Sequence, residues 1–234
     1  MHEAAGMDST DLGDTARRDH RPLPRPAQLH GPVSRSARLL LGLTLYGASV
    51  AMLIEAGLGT MPWSVLEVGL AGRLGADVGL VIVLVSFVVL LLWLPLRQRP
   101  GIGTVVNAVW VGPAATVTLH LLPSPGALVA QLSLAAAGVV LNGLATGLYI
   151  GARLGPGPRD GLMTGLHART GWSLRLVRTG IEIAVVATGF ALGGVVGVGT
   201  LMYALTIGPL AQLFLRIFDT APDTAPDAAA TRPG

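Results

Sequence analysis

Six apolar stretches, separated by short polar or glycine- and proline-rich breaks, run along the chain at residues 38–57, 78–96, 101–121, 127–150, 176–193 and 197–217. At a rise of about 1.5 Å per residue, each is long enough to cross roughly 30 Å of hydrocarbon as a helix. Apolar residues occupy all sides of these segments, which argues for membrane spans over amphipathic helices lying on a surface. Outside them, residues 1–37 and 219–234 are polar, contain proline and lack an apolar run, so they are expected to be disordered cytoplasmic tails. The first of them also lacks the short apolar core of a signal peptide.

The pattern occurs twice, 96 positions apart, with no insertion or deletion. Residues 39–121 and 135–217 share 25 identities over 83 aligned positions, and glycine and proline dominate the matches. Gly42 answers to Gly138, Gly59 to Gly155, Pro62 to Pro158, Gly75 to Gly171, and Gly112-Pro113 to Gly208-Pro209. What is repeated is therefore mainly backbone shape: turns, close contacts and breaks in helices. Each copy holds three apolar stretches, and an odd number of crossings forces the second copy upside down relative to the first. The expected fold is all-α and integral to the membrane, with six transmembrane helices arranged as two inverted three-helix repeats, residues 38–125 and 126–218.

Composition agrees. Apolar residues make up 51% of the chain and charged residues 12%, about half the charge of a soluble domain. With no cysteine, disulfides, thiolate metal sites and cysteine nucleophiles are excluded. All sixteen basic residues are arginine, and they do not form a patch interleaved with aromatics, so no nucleic-acid partner is expected. If the N-terminus is cytoplasmic, fifteen arginines lie inside and only Arg73 outside. That asymmetry predicts a bacterial plasma (inner) membrane protein with both termini in the cytoplasm.

The breaks after the first and fourth stretches, residues 58–77 and 154–173, both run Gly-x-x-Pro into a short helical pattern of about 12 residues. Such helices are too short to cross and too apolar for ordinary loops. They are re-entrant or interfacial half-helices.

Ionisable and polar groups in this setting need a reason. Arg178 and Glu182 are four residues apart in the fifth stretch, on one helical face; they form either a structural ion pair or a coupling site for a proton or solute. Arg159 and Asp160 open the second half-helix, where a carboxylate suits the positive helix end and a cation does not. Arg159 could pair with Asp160, meet a phosphate headgroup or read an anionic solute. Trp63 and Ser64 occupy the matching positions of the first half-helix and are expected to form the opposite wall of a site. Tyr46 corresponds to Asn142 and Asn107 to Tyr203, a reciprocal exchange of two hydrogen-bonding side chains that lipid cannot satisfy. They serve either as interhelical glue or as the lining of a central cavity.

The Gly-x-x-Pro-Trp segment of the first copy and Gly-x-Gly-Pro-Arg-Asp-Gly of the second resemble the YczE-like bacterial integral membrane proteins, the YczE/YyaS/YitT group. So do Arg178-x-x-x-Glu182, Leu192-Gly-Gly and the run Gly197-x-Gly-Thr to Gly208-Pro209. The resemblance spans about residues 38–218 and implies a multi-pass membrane protein with a role in transport or efflux. An acid often follows Pro-Trp in this group; here that position is Ser64, and only Asp160 keeps the acid.

The functional expectation is a secondary transporter or exporter of a small solute, hydrophobic or anionic, in contact with membrane lipid. A channel with paired half-helices, or a non-transporting membrane partner of another protein, are the alternatives. No Walker A segment, Ser/His/Asp arrangement or His-Glu-x-x-His spacing occurs. Neither enzyme activity nor a cofactor or metal is expected.

Overall fold

Proline and glycine set the element boundaries. The computed structural model describes residues 32–218. Eight helices follow one another: α1 (Pro32–Glu55), α2 (Pro62–Leu74), α3 (Val78–Leu96), α4 (Ile102–Leu121), α5 (Leu128–Gly151), α6 (Pro158–Thr170), α7 (Leu174–Ala191) and α8 (Val198–Phe218). Among the described residues no strand forms. Pro62 and Pro158 sit in the first turns of α2 and α6, where their preset φ suits the helix and the missing N–H would have had no partner. Gly75 and Gly171 end the same helices at φ 61° and 72°, left-handed geometry that glycine adopts without a Cβ penalty. Asp77 accepts from the Leu80 N–H at 3.0 Å and Ser173 from that of Leu176 at 3.3 Å, capping α3 and α7. The starts of α5 to α8 all lie 96 positions after those of α1 to α4.

Residues 32–37, expected to belong to the N-terminal tail, instead extend α1. The cause is Arg35, whose Nε and Nη2 donate to the carbonyls of Ala152 and Arg153 at 2.9 and 2.8 Å, satisfying groups just past the end of α5. The rest of the expected tails, residues 1–31 and 219–234, lie outside the described residues.

Five of these helices, α1, α3, α4, α5 and α8, are long and apolar enough to cross a membrane. The sixth expected span coincides with α7, which carries Arg175, Arg178 and Glu182 within 18 residues and is too polar to join them on composition. The exposed surface of α3 is Leu80, Leu84, Phe87, Val88 and Leu91, the surface a lipid-facing helix needs.

At the centre α1 packs along α5; α4 packs on α1 and α8 on α5. Small residues allow this. A Cβ at Gly42 would lie 2.8 Å from the Tyr149 nitrogen, and one at Gly143 would lie 2.8 Å from Leu210 Cβ. The short helices cross between halves, α2 against α7 and α6 against α3. Two backbone bonds pin these exchanges: Gly199 N–H to the Leu58 carbonyl and Gly103 N–H to the Leu154 carbonyl, both at 2.8 Å. Two matched arginines complete them. Arg73 of α2 donates to the Leu192 carbonyl at the end of α7, and Arg169 of α6 to the Pro95 carbonyl in the last turn of α3.

One pairing is not matched. α3 lies against α4, whereas α7 packs on α2 and α6 and stands off α8. At the α3–α4 seam a Cβ on Gly79 would be 2.9 Å from the Gly112 carbonyl carbon, and one on Gly112 would be 2.7 Å from Val83 Cγ2. The counterpart of Gly79 is Arg175, and a Cβ on Gly208, the counterpart of Gly112, would meet nothing within 4 Å.

Candidate functional site

The short helices begin abruptly inside the bundle, so their first residues meet side chains from the other half. Arg159, second residue of α6, donates through Nη2 to Glu67 of α2 in an ion pair whose carboxylate side chain is 1% exposed. The Arg159 guanidinium also lies 5.0 Å from the centre of the Trp63 ring, a cation–π contact. Ser64 donates to the second Glu67 oxygen at 3.3 Å. Asp160 accepts a hydrogen bond from the Tyr149 hydroxyl at 2.6 Å.

A polar chain crosses from α8 to α1. Tyr203 donates to Asn142 Oδ1 at 3.0 Å, Asn142 Nδ2 donates to Ser49 at 2.7 Å, and Ser49 donates to the Tyr46 carbonyl at 2.6 Å. Every member is satisfied, which rigidifies the α1–α5–α8 contact. Tyr46 and Tyr149 meet edge to face, ring centres 6.0 Å apart.

These groups surround a cavity of about 290 Å³, bounded by α1, α2, α5, α6, α7 and α8. Tyr46, Trp63, Arg159, Asp160, Arg178, Glu182 and Tyr203 all line it. A smaller void of about 40 Å³ on the α3–α4 side is lined by Tyr46, Asn107, Ser86 and Asp160. Arg178 Nε and Glu182 Oε1 are paired at 2.8 Å, with side chains 47% and 26% exposed, at the edge where α7 stands off α8. Thr60 Oγ1 and Trp63 Nε1 are buried without a protein partner.

Residues 33–216 match a family of unknown function, DUF6198. An uncharacterized protein of Haemophilus influenzae is 40% identical over 184 residues, covering 79% of this chain and 84% of the relative. The uncharacterized membrane protein YczE of Bacillus subtilis is 32% identical over 176 residues, 74% of this chain and 82% of the relative. The chain belongs to this YczE-like family of membrane proteins. The uncharacterized protein YyaS of Bacillus subtilis is 26% identical over 183 residues, 76% of this chain and 91% of the relative. No solved structure matches the chain.

For this member of the YczE-like family, most of the sequence-derived residues converge on the cavity, with three adjustments. Ser64 is fully buried and turned toward Glu67, so Trp63 alone of that pair forms the cavity wall. Asn142 and Asn107 stand behind the main cavity, the first holding Tyr203 and the second lining the smaller void. Arg159 pairs with Glu67, 92 residues earlier, and not with Asp160. Tyr149 was not singled out from sequence. Its signal was available: it lies seven residues after Asn142, two turns along the same helix face.

Proposed function

We propose that the protein is a secondary transporter or exporter of a small solute in the bacterial plasma membrane, and not an enzyme. In this reading its two halves are inverted three-span repeats, α7 is the sixth crossing, both termini are cytoplasmic, and α2 and α6 re-enter the bilayer. The observation that carries it is the central cavity, to which both halves contribute charged or aromatic side chains from the first turns of short helices. Discontinuous helices meeting at a central site are the means by which inverted-repeat transporters bind solute at membrane depth. The polarity of α7 is consistent with a crossing, because Arg178 and Glu182 line the cavity and pair with each other. Exposed apolar residues on α3, α4 and α8 support a bilayer around the rest.

Two readouts on one reconstituted preparation test the reading. Solid-supported membrane electrophysiology, with a panel of amino acids, organic anions and organic cations, should give transient currents that saturate with solute concentration. Currents that grow linearly without saturating would mean a channel, and silence across the panel would count against transport. In cells, a C-terminal reporter fusion should report cytoplasmic and one at Ser124 external. A periplasmic C-terminus would overturn the six-span inverted arrangement.

A further inference from the structure

The charges in the cavity wall and directly behind it do not balance. Arg159 is neutralised by Glu67, and its guanidinium face is taken up by Trp63. Arg178 is neutralised by Glu182. Asp160 is held by a tyrosine hydroxyl alone and has no ion-pair partner among the described residues. With Glu67 counted behind the wall, two arginines stand against three carboxylates, and the carboxylate left without an ion-pair partner is Asp160, on the wall itself. The N-terminus of α6 offsets at most about half of its charge.

The walls around that charge are aromatic. The chain has three tyrosines, and Tyr46, Tyr149 and Tyr203 all line this one cavity together with Trp63. Aromatic rings beside a carboxylate suit a soft, poorly hydrated organic cation. A hard metal cation would ask instead for six or more oxygen ligands. An anion would have to compete with Glu67 for Arg159 or with Glu182 for Arg178.

Beside the polar cavity lies an apolar one. Pro62 and Glu182 line the first and also line the second, a groove of about 500 Å³ between α7 and α8, where Ile183, Val186, Phe190 and Ala204 face one another. The groove exists because α7 stands off α8. Polar cavity and apolar groove thus adjoin at Pro62 and Glu182, and together they suit one molecule with two parts.

We infer that the solute is an amphipathic organic cation, its ammonium-like head seated at Asp160 among the three tyrosines and its apolar body lying in the α7–α8 groove, reached laterally from the bilayer. This rests on reading the cavity as a solute site. The test is calorimetric titration of the full chain in lipid nanodiscs, with empty nanodiscs as baseline, using tetraphenylphosphonium and tetraphenylborate. The two probes share shape and apolar surface and differ in the sign of charge. Tetraphenylphosphonium should bind saturably, and Asp160→Asn should weaken it at least about tenfold, or roughly 1.4 kcal/mol. Ala204→Phe, on the wall of the groove and not of the cavity, should weaken tetraphenylphosphonium more than tetramethylammonium, which has no body to seat in the groove. Tetraphenylborate binding as well as its cationic twin, no saturable tetraphenylphosphonium binding, or an unchanged affinity in Asp160→Asn would overturn the inference. If Asp160→Asn does not fold, the comparison of the two probes on the unaltered chain still decides. Tetraphenylborate-only binding would leave a transport role standing with the opposite substrate charge. Tetraphenylphosphonium binding without any current in proteoliposomes would leave the site standing and remove the transport role.

Discussion

The α3–α4 seam is closed and the α7–α8 seam is open, although the two occupy corresponding places in the repeated sequence. At the closed seam, Gly79 and Gly112 bring two backbones together, and Thr116 donates to Asp77 at 2.6 Å across the gap. At the open seam the corresponding residues are Arg175, Gly208, Gln212 and Ser173. An arginine has replaced the glycine that allowed contact, and the hydroxyl–carboxylate bond has no counterpart. Deeper in the seam, Ile82 and Ser86 are answered by Arg178 and Glu182. The same backbone plan thus gives a sealed wall in one half and an opening lined by charge in the other. A repeat fixes where helices go, and the side chains at a few contact positions decide which of its seams stay shut.

The largest expected effect contrasts the ion pair buried between α2 and α6 with the one at the open seam. Glu67→Leu leaves Arg159 uncompensated in a buried site and should cost about 3–5 kcal/mol, seen as lost yield and a lowered thermal midpoint. Adding Arg159→Met should recover part of it. Glu182→Gln should cost roughly 1 kcal/mol or less, because that pair is exposed to the cavity mouth. Equal losses for Glu67→Leu and Glu182→Gln would show that the second pair is as enclosed as the first.

Next come the seam glycines. Gly112→Ala should destabilise by about 1–3 kcal/mol, since its Cβ would press on Val83 and the Gly79 backbone. Gly208→Ala should be neutral or slightly stabilising, because it enters open space and improves helix propensity. Fluorescence-detected thermal unfolding of the two variants compares the seams directly, and matched losses would mean that α7 closes on α8.

The smallest effect is a pH dependence on the closed side. The Thr116 hydroxyl, followed by the backbone N–H groups at the start of α3, holds the Asp77 carboxyl below its ordinary value. A depressed carboxyl contributes stability that is present above its unfolded pKa, about 4, and is lost as pH falls through the folded value. Thermal midpoints should therefore decline below about pH 4 more gently in Asp77→Asn than in the unaltered chain. An identical acid limb in both would mean that Asp77 does not clamp the seam.

Much of this was legible in the sequence because glycine and proline encode backbone directly. The start of both half-helices at Pro62 and Pro158, their ends at Gly75 and Gly171, and the 96-residue step follow from residues whose conformational range is narrow or unusual. The Arg178–Glu182 pair followed from helical spacing, whereas the bond between Asn142 and Tyr203 was not specified by the matching of Tyr46 with Asn142 and of Asn107 with Tyr203. What did not follow depends on contacts between halves. Glu67 has no acidic counterpart at Met163, and nothing local ties it to Arg159, 92 positions away. Ser64 was read as a wall residue by symmetry with Asp160, but Glu67 one turn later draws its hydroxyl away from the cavity. The early start of α1 depended on Arg35 finding the end of α5. The open seam was written in the Gly79/Arg175 exchange, yet its meaning appears only once Gly112 and Gly208 are seen to face different surroundings.

The opening of the α7–α8 seam is the claim on which the cavity's access from the bilayer rests, and distance measurement tests it most directly. The chain has no native cysteine, so spin-label pairs can be placed at Leu84/Val117 across the closed seam and at the corresponding exposed positions Gly180/Leu213 across the other. Double electron–electron resonance in lipid nanodiscs should give a clearly longer distance for Gly180/Leu213 than for Leu84/Val117. Superimposable distributions would contradict the account, leaving a cavity sealed from the bilayer on both sides.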